Sequence, residues 1–445
     1  MDTTPNVLLI VLDTMRKSIL DTYNGPAKMP NLEELTKNSM VYENAISPAP
    51  WTYPSHVSIF TGLYPSEHNV HETFEAKLYD LNKFHQALQA ERLSEYFHSL
   101  GYTTEGISNN IMVSPQMLFD RGFDSFYMID YARPLIRESK IIKEVRGLGK
   151  SPKEVFFKLL KKGRIIDISR FYLYFRYLKK MDKLYNFPMD KGGTLTNNLL
   201  SYSMWHEKSF KFINFMEMHE PYETVSHGDE IFKNYTGIKK ISQKRADYLK
   251  EKYIKEAQYL DSQIGSLIKT LKSSGFYDDT MIIITADHGQ AFNEHGHMYH
   301  DTFLYDEIIR VPLIIKYPNS KKFDKKEGYQ STTNIFKLIK SVLGGGDDSA
   351  LITESAFSES YGTTIVLPDK YADTADFVKN KYEKARKAVF KNGFKLNVNG
   401  TDGIIEEFTK DGKDVDPKEY EKEFKDLVNE LEIFAGSETF KLPAL

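Results

Sequence analysis

NVLLIVLD, Asn6 to Asp13, is an unbroken run of leucine and β-branched residues that closes on a carboxylate. A strand that is apolar at every position, rather than at alternate ones, is buried on both faces, the condition of a parallel strand covered by helices. Asp13 then stands at the strand's C-terminal edge, where open α/β sheets collect their ligands. No basic leader precedes the run, and at about seven residues it is too short for a signal-peptide core or a membrane span. A cytoplasmic location is expected on that ground.

The pattern recurs along the chain. ERLSEYFHSLGYTTEGISNN, from Glu91, reads as a helix, a stop at Gly101 and a short strand; SFKFINFMEMHEP, from Ser209, reads as a strand running to His219; TMIIITADHG, from Thr280, reads as a strand ending in Asp287-His288. Helical periodicity covers Thr194 to His206, behind Gly192-Gly193, and Ala257 to Ser274. Strands alternating with helices predict an α/β fold with a doubly wound, mainly parallel sheet.

Composition narrows the chemistry. The 445 residues carry a net charge of -3, with 41% hydrophobic and 27% charged residues, the balance of a globular protein. With no cysteine in the chain, disulfides, thiolate metal sites and a cysteine nucleophile are excluded. The net charge argues against a nucleic-acid partner, although residues 131–190 hold 16 Lys and Arg against 6 Asp and Glu, interleaved with Phe171, Tyr172, Tyr174, Phe175 and Tyr177. That insert is read as a solvated charged face, or else as a surface that meets anionic lipid or a lipid- or polymer-linked anionic ester. Gly344-Gly345-Gly346-Asp347-Asp348 reads as a break. The expected organisation is a catalytic domain over 1–345, containing the 131–190 insert, and a small C-terminal α+β subdomain over 350–445. Oligomeric state is not legible.

Asp287-His288-Gly289 offers carboxylate and imidazole side by side at a strand end, half of a divalent-metal site, and Asp13 supplies a second carboxylate. APWTYPSHVSIFTGLYP, Ala49 to Pro65, adds a hydroxyl. Pro54 suits the first turn of a helix, so Thr52 lies at or just before the cap, where free N–H groups face an anion. Thr52 or Ser55 either caps that helix or, for Thr52, does chemistry, since an alcohol beside a divalent cation loses its proton more readily.

Four blocks, NVLLIVLDTMR, APWTYPSHVSIFTGLYPSEHNV, FMEMHEPY and TADHGQAFNEHGHMYHDTFLYDEIIRVPLIIKYP, together resemble the successive motifs of the sulfatase family within the alkaline phosphatase superfamily. The resemblance implies an alkaline-phosphatase-like sheet flanked by helices. It also implies a mechanism in which a nucleophile held at a metal attacks a sulfuryl or phosphoryl centre through a covalent intermediate. Carried over by position, Asp13, Thr52, Asp287 and His288 would hold the metal and Thr52 would be the nucleophile. His219 would approach the substrate or leaving group. His300 falls where many sulfatases place a substrate-contacting lysine, and His56 and Asn109 would contact substrate. Mn²⁺ or Zn²⁺ suits this mixed oxygen and nitrogen set, with Mg²⁺ or Ca²⁺ as alternatives and a second metal left open.

Departures from the family pattern redirect the chemistry. Threonine at the nucleophile position cannot give the aldehyde that sulfatases make from cysteine or serine. Asp13-Thr14 replaces an Asp-Asp pair, Ser108-Asn109-Asn110 replaces a Gly-Lys-Trp-His block, and His56 replaces an arginine. A metal-dependent hydrolase of phosphate or phosphonate esters is therefore expected. The alternatives are a sulfate-ester hydrolase without formylglycine, a phosphoryl transferase to a sugar or lipid alcohol, and an inactive anion-binding module.

Overall fold

The computed structural model describes residues 4–72, 78–129, 152–166, 168–169, 190–203, 205–223, 228–320, 323–363, 365, 367–436 and 438–443. Most of the basic insert, including its aromatic run, lies outside the described residues.

NVLLIVL forms strand β1 (Asn6–Leu12), buried at every position. Seven further strands share its sheet: β2 (Met40–Tyr42), β3 (Thr103–Ser108), β4 (Ser125–Met128), β5 (Ser209–Phe215), β6 (Thr280–Thr285), β7 (Leu313–Lys316) and β8 (Asp324–Lys326). Their order is β8-β2-β7-β6-β1-β5-β3-β4. The five strands from β6 to β4 run parallel, as does the β8–β2 pair, and β7 alone opposes its neighbours β6 and β2. β1, β5 and β6 are fully buried because helices cover both faces, and that is what their continuous apolar sequence requires.

Register decides where the chemistry sits. Leu12 pairs with Phe215, Val11 with Thr285, and Ser108 with Asn214. Four neighbouring parallel strands thus end level, and the residues that follow them meet above one edge.

Helix α1 (Thr52–Thr61) is buried along its whole length, and it ends at Gly62, whose φ of 72° is the left-handed conformation glycine adopts without strain. Helix α2 (Gly193–Tyr202) stops short of the expected His206, because the chain turns extended at Ser203. Helix α3 (Gln243–Ser273) begins well before the expected Ala257. Its first turns bury only a narrow stripe of Ala246, Leu249 and Tyr253 amid charged residues, so apolar density rises late, while the start is fixed by Ser242, whose side chain accepts from the Arg245 N–H.

Beyond the main sheet, five antiparallel strands, the first at Ser355–Ser360 and the last at Lys413–Asp414, form a second sheet. Helix α4 (Glu421–Ala435) packs Phe424, Leu427 and Leu431 against Val389, Leu396, Val398 and Phe408 of that sheet. The fold is the α/β architecture read from the sequence, with a small C-terminal antiparallel sheet.

Candidate active site

At the level edge of the sheet, Asp13, Asp287 and His288 bring one donor atom each to within 4.8 Å of one another, and all three side chains are fully buried. Asp13 follows β1 directly. Thr14 next to it holds φ at 59°, a left-handed conformation that is costly for a β-branched residue. Hydrogen bonds sustain it: the Thr14 N–H donates to Asp287 Oδ1 at 3.1 Å, and the Tyr253 hydroxyl of α3 donates to the Thr14 carbonyl at 2.6 Å while accepting from the Arg16 N–H at 2.9 Å. The turn therefore ties the end of β1 to the end of β6.

The two carboxylates are incompletely satisfied. Asp287 Oδ1 also accepts from the His288 N–H at 2.9 Å, and Asp13 Oδ2 accepts from Asn110 Nδ2 at 2.6 Å, but Asp13 Oδ1 and Asp287 Oδ2 are buried with no hydrogen-bond partner. Burial pushes the Asp287 carboxyl up to about 7; burial, reinforced by the Asp287 charge, pushes Asp13 up to about 6. Burial pulls His288 down to about 4, so its ring is neutral. Its Nδ1 donates to the Gly289 carbonyl at 2.9 Å, which leaves the Nε2 lone pair to face the cluster. Two orphaned carboxylate oxygens and one free imidazole nitrogen fit a divalent cation of the Mn²⁺ or Zn²⁺ kind.

Thr52 stands at the edge of this cluster, its Oγ1 3.3 Å from His288 Nε2. It is the first residue of α1, with Trp51 in the N-cap position, and no side chain caps the helix. The capping alternative for Thr52 and Ser55 is thus not what the structure shows. Ser55 instead donates from Oγ to the Asp287 carbonyl at 2.7 Å and pins α1 beneath the loop that follows β6.

His219 and His300 form the rim. Their side chains are 20% and 14% exposed, the rings lie 5.1 Å apart, and His300 sits 4.4 Å from His288. Burial opposes charge on His219, but the Glu220 and Asp13 carboxylates outweigh it and raise the pKa. Glu217 turns away from this edge, accepting the Gly193 N–H at 2.6 Å.

Two residues expected to contact substrate, His56 and Asn109, are buried, and Asn109 Nδ2 has no hydrogen-bond partner. His56 is fully buried: Nδ1 donates to the Thr52 carbonyl at 2.9 Å, Nε2 lies 3.4 Å from Asn214 Nδ2, and burial lowers its pKa to about 3. The neutral ring packs under the site against Phe119 and Phe212. Asn109 accepts from Thr196 Oγ1 at 3.0 Å and packs its amide over Gly192, where a Cβ would come within 2.8 Å of Nδ2. The neighbour, Asn110, is the residue that reaches Asp13. Sequence reasoning also passed over Glu220 and Gln290, whose only signals were the glutamate in HEPY and the glutamine in DHGQ.

The family model described as Sulfatase matches residues 5–345. The chain belongs to the sulfatase family. Among its relatives, human iduronate 2-sulfatase is 24% identical over 355 residues, covering 70% of this chain and 60% of the relative. The ulvan-active sulfatase of Formosa agariphila is 22% identical over 390 residues, covering 85% of this chain and 68% of the relative. This sulfatase-family chain thus spans well under two thirds of the length of iduronate 2-sulfatase. Its fold resembles the crystal structure of the phosphonate monoester hydrolase of Agrobacterium radiobacter, with a TM-score of 0.63 at 15% identity over 96% of this chain and 94% of that one.

Proposed function

We propose that this chain is a metal-dependent hydrolase of monoanionic phosphate or phosphonate esters in which Thr52 is the nucleophile. The observation that carries the reading is the position of Thr52 Oγ1, at the uncapped start of α1 and 3.3 Å from His288 Nε2, beside the two orphaned carboxylate oxygens. A divalent cation held by Asp13, Asp287 and His288, when bound, supplies the positive charge that lowers the alcohol's pKa and polarises the ester. Thr52, its hydroxyl proton lost to water, attacks phosphorus as the bond to the leaving oxygen breaks, and the N–H groups at the start of α1, those of Thr52 and Tyr53, receive the non-bridging oxygens. His219, whose imidazole is biased toward the charged form, donates a proton to the departing oxygen. Water then releases the threonyl ester.

Charge supports the monoanionic class. Among the described residues, no lysine or arginine hydrogen-bonds or ion-pairs with Asp13, Thr52, His219, Asp287, His288 or His300, so once a bound cation has offset the two carboxylates, His219 is the side chain of this set biased toward positive charge, a match for a single substrate charge. Phosphodiesters and phosphonate monoesters carry one charge, phosphate monoesters close to two. The relatives named as sulfatases keep sulfate esters as the second class to be assayed.

The test is turnover of bis(4-nitrophenyl) phosphate, 4-nitrophenyl phenylphosphonate, 4-nitrophenyl phosphate and 4-nitrophenyl sulfate by the metal-loaded protein, alongside Thr52→Ala. The diester and phosphonate are expected to be the best substrates, with loss of turnover in the variant by about 10³-fold or more, the scale of a lost nucleophile. Full activity of Thr52→Ala refutes the assignment, and a preference for the sulfate transfers the site to sulfate esters.

A further inference from the structure

The rim histidines are wired to a hydrogen-bond chain whose directions can be read without seeing a hydrogen. Gln290, fully buried, places its amide between three groups: Nε2 lies 2.7 Å from Glu220 Oε2 and 2.8 Å from the Tyr222 hydroxyl, and Oε1 lies 2.7 Å from His300 Nδ1. A carboxylate only accepts hydrogen bonds. The Tyr222 hydroxyl has already committed its proton to the Met218 carbonyl at 3.0 Å, so toward Gln290 it too can only accept. Both neighbours on that side demand the NH₂ end of the amide. The carbonyl end must therefore face His300, and His300 Nδ1 must carry the proton. His300 Nε2 is left as a lone pair on the ring edge away from Gln290, in the tautomer that accepts a proton rather than gives one.

That tautomer is unexpected for a residue at the mouth of an anion site, where a donor would bind the substrate oxygens. We propose that Glu220 and Gln290 are positioning residues that hold His300 as a proton acceptor for the water attacking the covalent intermediate. The inference rests on Thr52 being the nucleophile. In the step, the water oxygen bonds to phosphorus and its proton passes to His300 Nε2. The bond between phosphorus and Thr52 Oγ1 breaks, with its electron pair going to Oγ1. The two histidines then divide the work: His219 gives a proton to the first leaving group, and His300 takes one from the incoming water. Glu220 touches both halves, since its backbone carbonyl accepts from His219 Nδ1 at 2.7 Å while its carboxylate orients Gln290.

The experiment compares wild type with Gln290→Leu, which removes the amide, and Glu220→Gln, which frees it to turn over, using metal-loaded protein and 4-nitrophenyl phenylphosphonate. Both variants are expected to lower kcat about 10- to 100-fold, as loss of an outer-shell partner does. For Gln290→Leu KM should fall in parallel, leaving kcat/KM within about twofold, because release of nitrophenolate precedes the affected step. Glu220→Gln also withdraws the carboxylate that raises the His219 pKa, and its kcat/KM is preserved with this ester because nitrophenolate departs without needing a proton. A stopped-flow burst of nitrophenolate and an intact-mass adduct on Thr52 should appear in the variants. A merely structural role would instead depress kcat/KM along with kcat, produce no burst and lower the thermal midpoint. That result, or kinetics identical to wild type, overturns the proposal. A second equivalent of metal per chain that Glu220→Gln loses also overturns it, since His219, Glu220 and His300 have donor atoms within 4.8 Å and would then be ligands. Absence of an adduct in every form, together with an active Thr52→Ala, refutes the nucleophile itself and is distinguishable from all of these.

Discussion

Without a cation the protein's stability should fall as pH rises, and adding one should restore most where the fall is greatest. Asp13 and Asp287 are fully buried, with carboxyls pushed up to about 6 and about 7 in the fold, against 3.8 for the unperturbed group. A folded pKa above the unfolded one means that the folded state holds protons the unfolded state has released. The favourable contribution is complete below about pH 4 and is lost as pH climbs through 6 to 7. Each such group costs on the order of 3 kcal/mol by pH 8, less than additively because part of the Asp13 shift is the Asp287 charge. Cation binding exchanges those protons for the metal, so its benefit grows over the same window; at 100 times Kd it is worth about 2.7 kcal/mol. The assay is thermal unfolding of EDTA-treated protein at pH 5.5 and 8.0, with and without Mn²⁺ or Zn²⁺. The metal-free midpoint is expected to drop between the two pH values and the metal-induced gain to be larger at pH 8.0. Asp287→Asn should remove about half of the metal-free drop, since buried Asp13 still titrates, and most of the metal gain, which separates these carboxylates from other titrating groups. A metal-free midpoint that is flat or rises with pH relative to Asp287→Asn, or a metal gain independent of pH, would refute the reasoning.

Three further outcomes follow from the same contacts. Asn110→Ala removes the amide donated to Asp13 Oδ2 at 2.6 Å and should weaken metal affinity about 10- to 100-fold, measured by competition with a chromogenic chelator. Tyr253→Phe strands the Thr14 carbonyl and the Arg16 N–H, both bonded to the hydroxyl, and should cost about 1–3 kcal/mol in urea unfolding. Lys191→Met leaves Glu256 without its 3.1 Å partner, with both side chains buried, and should destabilise by about 3–5 kcal/mol in the same assay; unchanged stability would mean that the pair holds little of the α3 docking.

How far the sequence reached depends on which physical signal each feature left. Continuous apolar runs ending in Asp13 and Asp287-His288 encode buried parallel strands and their edge residues directly, so the sheet and the metal cluster are legible together. The reversed strand β7 is not, because an apolar run such as LIIK carries no signal of its direction in the sheet and only its pairing with β6 fixes polarity. The choice of Asn109 over Asn110 turns on side-chain alternation past the end of β3, a one-residue distinction that no composition carries. The burial of His56 is not legible for a related reason: it lies one helical turn after Thr52, so its ring returns to the Thr52 carbonyl inside the fold. Glu220 and Gln290 are ordinary polar residues in sequence, and their meaning appears only when the loops after β5 and β6 are brought face to face.

These departures act in one direction on the charge of the site. Where the family pattern places arginine, lysine and histidine around the anion, this chain has a neutral buried His56, the amides of Asn109 and Asn110, and a His300 whose proton is held on the side away from the opening. Thr14 removes one carboxylate but offsets only one of those lost charges. On the proposed mechanism such a site would rely on a bound cation, the helix N–H groups and His219 to stabilise the developing charge, which favours an ester carrying a single negative charge and a nucleophile that needs no oxidative maturation. Threonine meets the second condition because its hydroxyl is usable as translated, provided that a neighbouring cation lowers its pKa. The same poverty of fixed positive charge makes proton traffic at the rim more consequential. With no lysine among the described residues bonded to the rim histidines, the proposed settings of His219 and His300, one giving and one taking a proton, would serve both half-reactions.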